Sequence, residues 1–384
     1  MKRILFLIPS FQLGGTNSAL NNFLSKIDKR KFQVDVYAFD DNGPNRPIVD
    51  KYAHIIGGNN GGQTEGKVNQ SSLKDLVRGI KRFLYKMHID ISPLVFRRVA
   101  RQLSGNHYDT VIAFQEGQTT KFLTYFRDTF KVAWIHCDYQ DHLSINKVSP
   151  EINIYSKIDR IVCVSSYTKD SFLAVLPEMQ DKTLFLHNAM DVERIKKLSE
   201  ASLDIEVSRE EGCFNLVSIG RLDPVKRFDQ IPVIASKLKE SGLRFRWFII
   251  GNGPEHYRGL IDIGIKEYKV EDSVFCLGAK SNPYPYIKFS DVVVITSSSE
   301  ACPVVLNEAK VLQVPVVTTN YGSSYEFIKD GENGVICTID DMPGALRRLF
   351  EEKGMYSRIK NNLSIFEYPN SAIIEKLENI ILKN

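Results

Sequence analysis

Arg221 and Lys226 stand five residues apart in Gly220-Arg221-Leu222-Asp223-Pro224-Val225-Lys226, directly after the apolar run Phe214 to Ile219. A planar guanidinium fork and a mobile ammonium on one loop suit a diphosphate. The same residues would also make a solvated basic loop. Glu300 and Glu308 follow another apolar run, in Ser299-Glu300-Ala301-Cys302-Pro303-Val304-Val305-Leu306-Asn307-Glu308. A carboxylate accepts two hydroxyl hydrogen bonds well, so each could hold a sugar or ribose diol. Two glutamates eight apart also arise by chance. Pro303 suits the first position of a helix, which would leave amides near Val304 and Val305 free for a phosphate. Gly14-Gly15 after the first apolar run permits a close backbone approach to an anion. Gly251-Asn252-Gly253-Pro254 reads as a tight strand-to-helix turn. His136 ends a run in Trp134-Ile135-His136-Cys137-Asp138. On its own, such a histidine reads as structural.

These loops need a frame that brings them together. Short, continuous β-branched runs alternate with helix-length segments, as in buried parallel sheets. The runs are Ile4 to Ile8, Val34 to Phe39, Thr110 to Phe114, Val132 to Ile135 and Ile161 to Val164. In the second half they are Phe214 to Ile219, Phe245 to Ile250, Val274 to Leu277, Val292 to Thr296 and Val314 to Thr318. Ligands of open α/β sheets bind beyond the carboxyl ends of the strands, which is where every candidate above lies. The pattern predicts an α/β protein with a first domain over 1–190, a connection over 191–212 and a second domain over 213–365. A closing helix over 366–384, with Ile373, Ile374, Leu377, Ile380 and Ile381 at helical spacing, would pack back on the body.

Composition narrows the classes. The chain is 43% hydrophobic and 25% charged, within the range of soluble globular proteins. It has no run of about 18 apolar residues, the length that spans a bilayer. Met1 to Pro9 resembles a signal peptide, but its short apolar run reads better as a buried strand. Six scattered cysteines form neither C-x-x-C pairs nor a disulfide framework, and a reducing cytoplasm is the simplest setting. The net charge of +4 is too small to argue nucleic-acid binding. The absence of a full G-x-G-x-x-G fingerprint argues against a nicotinamide enzyme.

Taken together, these motifs resemble the family 4 retaining glycosyltransferases of the GT-B fold, glycosyl transferases group 1. Five motifs occur in family order along the chain: Gly14-Gly15, Gly220 to Lys226, Gly251 to Pro254, Glu300 to Glu308, and Asp330-Gly331-Glu332-Asn333-Gly334. The resemblance implies two Rossmann-like domains facing a central cleft. It implies that Arg221 and Lys226 bind the donor diphosphate and stabilise it as it leaves, that Glu300 contacts the donor hexose, and that Glu308 binds the ribose. Pro303, Val304 and Val305 would present the helix N-terminus. Leu277 and Lys280 would lie along the nucleobase. Gly14 and Gly15 would approach from the other domain, and His136 would stand near the donor sugar. Asn188, where the chain enters the linker, would shape the hinge. The chain departs from the family pattern at Thr16-Asn17, Arg227 and Ala301-Cys302, positions that bear on donor-sugar and acceptor specificity.

The sequence contains no Asp-x-Asp triplet, so the expected enzyme needs no metal and no cofactor beyond its nucleotide-sugar substrate. Arg221, Lys226 and the helix N-terminus supply the positive charge instead. The expected reaction moves a hexose or N-acetylhexosamine, from a UDP-sugar by family frequency, to a glycan or lipid-linked acceptor in polysaccharide or cell-envelope synthesis. The alternatives are a GT-B sugar-nucleotide epimerase, which would need no acceptor, and a non-catalytic binding subunit. Gly57 to Ser72, with five glycines, predicts a mobile loop. Residues 73–102 hold eight Lys or Arg against two Asp, with Leu73, Leu76, Val77, Ile80, Phe83, Leu84 and Met87 on one helical face. A basic amphipathic helix of this kind suits an anionic membrane surface and would place the protein on the inner face of the plasma membrane. It equally suits a domain helix with a solvated basic face.

Overall fold

The computed structural model describes residues 1–12, 14–56, 92–204 and 208–382. The glycine-rich stretch 57–72 and the helical pattern from 73 to 91 lie outside the described residues. The rest of that pattern falls in the helix Ser92–Ser104.

Two parallel sheets form the frame. The first contains β1 (Lys2–Ser10), β2 (Phe32–Asp40), β3 (His54–Ile55), β4 (Thr110–Ala113), β5 (Phe130–Ile135), β6 (Arg160–Cys163) and β7 (Thr183–Phe185), in the order β3-β2-β1-β4-β5-β6-β7. The second contains β8 (Phe214–Ile219), β9 (Phe245–Ile250), β10 (Val274–Gly278), β11 (Val292–Ile295), β12 (Val316–Thr319) and β13 (Val335–Cys337), in the order β10-β9-β8-β11-β12-β13. Helices cover both faces, so the central strands are buried along most of their length: Ile4 to Leu7 of β1 and Val292 to Val293 of β11 are fully enclosed. This is why the sequence shows continuous apolar runs in place of alternation. Short strands the runs did not reveal, β3, β7 and β13, close the sheet edges.

Strand order reverses between β1 and β4 in the first sheet and between β8 and β11 in the second. A crevice opens at such points beyond the strands' carboxyl ends. Gly14-Gly15 follows β1, and the loops carrying Lys226 and Glu300 follow β8 and β11. Both sheets therefore place the candidate residues at their switch points.

The chain crosses between domains twice, and the crossings are bonded to each other. Asn370 Oδ1 accepts from the Met190 amide at 2.9 Å, and its Nδ2 donates to the Met190 carbonyl at 2.8 Å. The Tyr368 hydroxyl donates to the Asn188 carbonyl at 2.6 Å. The helix Asn370–Leu382 then docks on the first domain. It buries Ile373, Leu377, Ile380 and Ile381, and Thr110 Oγ1 donates to the Ile381 carbonyl at 3.1 Å. The described part of the connection 191–212 includes a helix, Val192–Ser199, capped by Asp191 and anchored by buried Ile195. That helix packs on Tyr284–Phe289 and Val304–Val311 of the second domain.

Candidate active site

The loop after β8 is fixed by the loop after β11. The Ser298 amide donates to the Val225 carbonyl at 2.8 Å, and Thr296 Oγ1 donates to the Lys226 carbonyl at 2.6 Å. Lys226 Nζ then reaches Glu300 Oε1 at 2.5 Å, and Ser297 Oγ donates to the same oxygen at 2.7 Å. Both charged side chains are largely enclosed, at 22% and 12% exposed. Mutual pairing offsets the hydration they lose. The ammonium is thereby held at the switch point between β8 and β11, with hydrogens left for an anion.

The Gly-Asn-Gly-Pro turn explains itself in this setting. A Cβ at Gly251 would collide with the Gly220 carbonyl oxygen, and one at Gly253 with the backbone of Leu222. The turn lies directly against the Gly220 loop, and the Leu222 amide donates to the Asn252 carbonyl at 2.9 Å. It is a buttress for the Arg221–Lys226 loop. Arg221 itself projects outward, 78% exposed, with Nε donating to Asp223 Oδ2 at 2.7 Å.

Pro303 sits one position earlier than expected. It is the N-cap, with extended ψ of 106°, and the helix Val304–Val311 begins at Val304. The helix end still faces the first domain: a Cβ on Gly15 would stand 3.6 Å from Val304 Cγ2. Gly14 precedes the helix Gly15–Lys26. Asn17 secures the approach to it, donating from Nδ2 to the carbonyls of Ser10 at 3.0 Å and Gln12 at 2.6 Å.

Glu308 is turned further inward than a cleft-facing residue, at 9% exposed. The Tyr284 hydroxyl donates to its Oε1 at 3.0 Å. Burial pushes the Glu308 carboxyl up to about 7, because a low-dielectric setting disfavours the charged form. Leu277 lies half-buried on β10. Lys280, just beyond, donates from Nζ to Asp204 Oδ2 at 2.7 Å and lies over the Tyr286 ring.

In the first domain, His136 follows β5. Its amide donates to Glu116 Oε2 at 2.9 Å, and its ring lies 4.9 Å from that of Phe114. Burial holds the imidazole down at about 3, hence neutral. Nε2 has no hydrogen-bond partner among the described residues. A neutral imidazole with an unpartnered nitrogen can serve a sugar or acceptor hydroxyl. Asn188 is buried and leaves Oδ1 unpartnered, while its carbonyl takes the Tyr368 hydroxyl.

Some residues of the site escape a sequence reading. Ser297 and Ser323 hold Glu300: Ser323 Oγ donates to the Glu300 carbonyl at 2.6 Å. Ser297 belongs to a serine triplet beside the glutamate, a signal that was available. Ser323 is a distant partner with no such signal, as is Tyr284 for Glu308. Glu116 follows β4 as the other candidates follow their strands. Glu116, Cys137 and His142 also bring ligand atoms within 4.8 Å of one another, close enough to share a small divalent ion. Burial and the neighbouring Glu116 carboxylate push the Cys137 thiol well up, which disfavours the thiolate a metal requires. Neither Glu300 nor Glu308 belongs to this triad.

Two parallel-sheet domains with their switch points opposed across a cleft define the GT-B architecture. Anabaena HepE, solved in complex with UDP and glucose, superposes with a TM-score of 0.77 at 17% identity, covering 100% of both chains. Staphylococcus aureus TarM, solved as a G117R mutant with fondaparinux, alpha-GlcNAc-glycerol and UDP, gives 0.73 at 16%, covering 99% of this chain and 100% of that one. Residues 203–364, most of the second domain, match the model of glycosyl transferases group 1. A Bacillus anthracis N-acetyl-alpha-D-glucosaminyl L-malate synthase is 26% identical over 231 residues, 58% of this chain and 59% of that protein. A Staphylococcus aureus poly(ribitol-phosphate) alpha-N-acetylglucosaminyltransferase is 24% identical over 269 residues, 67% of this chain and 52% of that protein. The chain thus spans about half to three-fifths of the length of these two curated relatives.

Proposed function

We propose that this protein is a glycosyltransferase that moves a hexose or N-acetylhexosamine from a UDP-sugar to a glycan or lipid-linked acceptor of the cell envelope, with retention and without a metal. The observation that carries the reading is the Lys226–Glu300 pair at the β8/β11 switch point, beside the N-terminus of Val304–Val311. A diphosphate there would meet the Lys226 ammonium, the Arg221 guanidinium and the helix amides. These are fixed positive groups aimed where negative charge develops as the glycosidic bond breaks. Glu300 would hold donor hydroxyls and Glu308 the ribose. Leu277 and Lys280 would border the base. The neutral His136 would bind a donor hydroxyl or the acceptor. The curated relatives' names, which specify N-acetylglucosaminyl transfer, in one case on poly(ribitol-phosphate), support the sugar and acceptor class.

The test is UDP release from a panel of UDP-sugars, with and without acceptor and with and without chelator, followed by NMR of the product's anomeric centre. Acceptor-dependent release that survives chelation, with the donor's anomeric configuration kept, is the expected result. Loss of activity in chelator removes the metal-independent mechanism. Conversion of the donor without an acceptor points to an epimerase.

We also propose a cytoplasmic protein peripheral to the membrane. Among the described residues no helix is long and apolar enough to cross a membrane. Helix Ser92–Ser104 presents Arg97, Arg98 and Arg101 to solvent beside the exposed side chains of Leu94 and Val95, a combination that suits an anionic lipid face. Flotation with phosphatidylglycerol vesicles, but not with phosphatidylcholine vesicles, is expected; equal behaviour with both contradicts it.

A further inference from the structure

The segment from Tyr321 to Phe327 leaves β12 in the second domain and ends against the first. At its start it holds the donor loop, through Ser323 Oγ on the Glu300 carbonyl. One residue earlier, Gly322 lies on the Tyr167 ring, where a Cβ would collide with the aromatic carbons. The Tyr167 hydroxyl continues the path, donating to Asp138 Oδ2 at 2.7 Å. Asp138 in turn caps the helix Tyr139–Asn146 and stands two residues beyond His136. Bonded and packed atoms thus run from the loop of Glu300 to the strand end of His136.

Glu326 locks this path. Its carboxylate accepts from the Ser166 amide at 3.0 Å, Ser166 Oγ at 2.7 Å and the Tyr167 amide at 3.3 Å. His187 Nε2 lies 2.5 Å from Oε1. The first-turn amides of Ser166–Val175 are therefore shared between two caps. Ser165 Oγ, from the same domain, takes the Thr168 amide at 3.1 Å, and Glu326, from the other domain, takes the two before it. A negative charge at a helix N-terminus is favourable, and here it is supplied across the domain boundary. Burial alone would raise the Glu326 carboxyl, but His187 and the Ser166 amide and hydroxyl outweigh it and hold the group at about 2. The cap is charged at any working pH.

We propose that Glu326 is a positioning residue that clasps the two domains and so sets the register between Glu300 and His136. It touches no substrate in this account. The catalytic consequence rests on the glycosyltransferase reading above; the clasp itself does not. Groups in a reacting constellation misplaced by about 1 Å lose on the order of 10²-fold in rate, so a loosened clasp should lower turnover while the donor-binding loops, internal to the second domain, keep their affinity.

The experiment uses the full chain carrying Glu326→Ala, Glu326→Gln or Gly322→Ala. Small-angle X-ray scattering reads the domain arrangement, UDP titration reads the donor site, and UDP release from a UDP-sugar reads turnover. Glu326→Ala should enlarge the radius of gyration and lower kcat by about tenfold or more, with UDP affinity within about twofold. Glu326→Gln keeps an acceptor oxygen for the Ser166 amide and should recover part of both effects. Gly322→Ala should open the molecule from the other side of the clasp. Should Glu326→Ala fail to fold, Ser166→Ala and His187→Ala each remove one hydrogen bond to Glu326 and must move scattering and kcat in the same direction. Wild-type scattering in every variant overturns the proposal. So does a loss of UDP affinity matching the loss of kcat, which would make the loop part of the donor site alone. Opening by Glu326→Ala in a protein whose wild type turns over no UDP-sugar leaves the clasp standing and removes the functional reading.

Discussion

At the ends of β8 and β11, Lys226, Glu300 and Ser297 are bound to one another before any ligand arrives. At the end of β5, by contrast, His136 is neutral and its Nε2 has no partner among the described residues. Both places lie beyond the carboxyl ends of parallel strands, yet their chemistry is opposite. The difference follows from what each would meet. A diphosphate would meet fixed cations, and the Glu300 carboxylate offsets the hydration that the enclosed Lys226 loses. A neutral imidazole can donate to or accept from a hydroxyl, and burial beside Phe114 keeps His136 in that state. On the proposed function, the second domain would bind the donor and the first would orient it.

Breaking the charged side should cost most. Glu300→Ala removes the partner of Lys226 and the proposed donor contact, and turnover should fall by about 10²–10³-fold, measured as UDP release under saturating donor. An unchanged rate would remove Glu300 from the mechanism. His136→Ala, on the neutral side, deletes one hydrogen bond worth about 1 kcal/mol, so kcat should fall by about fivefold to tenfold. A drop as large as that for Glu300→Ala would give His136 a larger share of the chemistry than the comparison assigns.

A smaller effect separates stability from binding. The Glu308 carboxyl stands near 7 in the folded chain, against an ordinary value of 4.5. Between those values the folded state binds the proton more tightly than the unfolded state, so this group's contribution to stability falls as pH rises through that window. An ionised carboxylate is also the better acceptor for ribose hydroxyls. From about pH 5 to about pH 8 the melting temperature should decline while UDP affinity improves by a few-fold. Glu308→Gln, which cannot titrate, should flatten both curves. Identical pH profiles for wild type and variant would show that Glu308 serves neither.

Much of this arrangement was legible in the sequence because it is local. Strand, glycine or cation, then helix is a short-range pattern, and buried parallel strands announce themselves as apolar runs. What escaped depends on distant partners. Tyr284 is 24 residues from Glu308, and nothing in the Glu-x7-Glu spacing signals the hydroxyl that meets the second glutamate. Glu326 meets Ser166 across 160 residues, and neither side of that contact carries a motif. Pro303 stands at the N-cap rather than the first helical position, with a φ of −69° that suits either but an extended ψ of 106°. The linker's charged composition concealed a helix held by buried Ile195, with Val192 and Leu198 packed beside it.

The most direct test of the division between the two sides is calorimetric titration of UDP into wild type, Lys226→Ala and His136→Ala in parallel. In the proposed site Lys226 would make a charge-assisted contact with the diphosphate worth about 1.5–3 kcal/mol. Its removal should weaken UDP binding by about 10- to 100-fold, while His136→Ala should leave it unchanged. Equal affinities for wild type and Lys226→Ala, or a loss confined to His136→Ala, would contradict a donor site in the second domain.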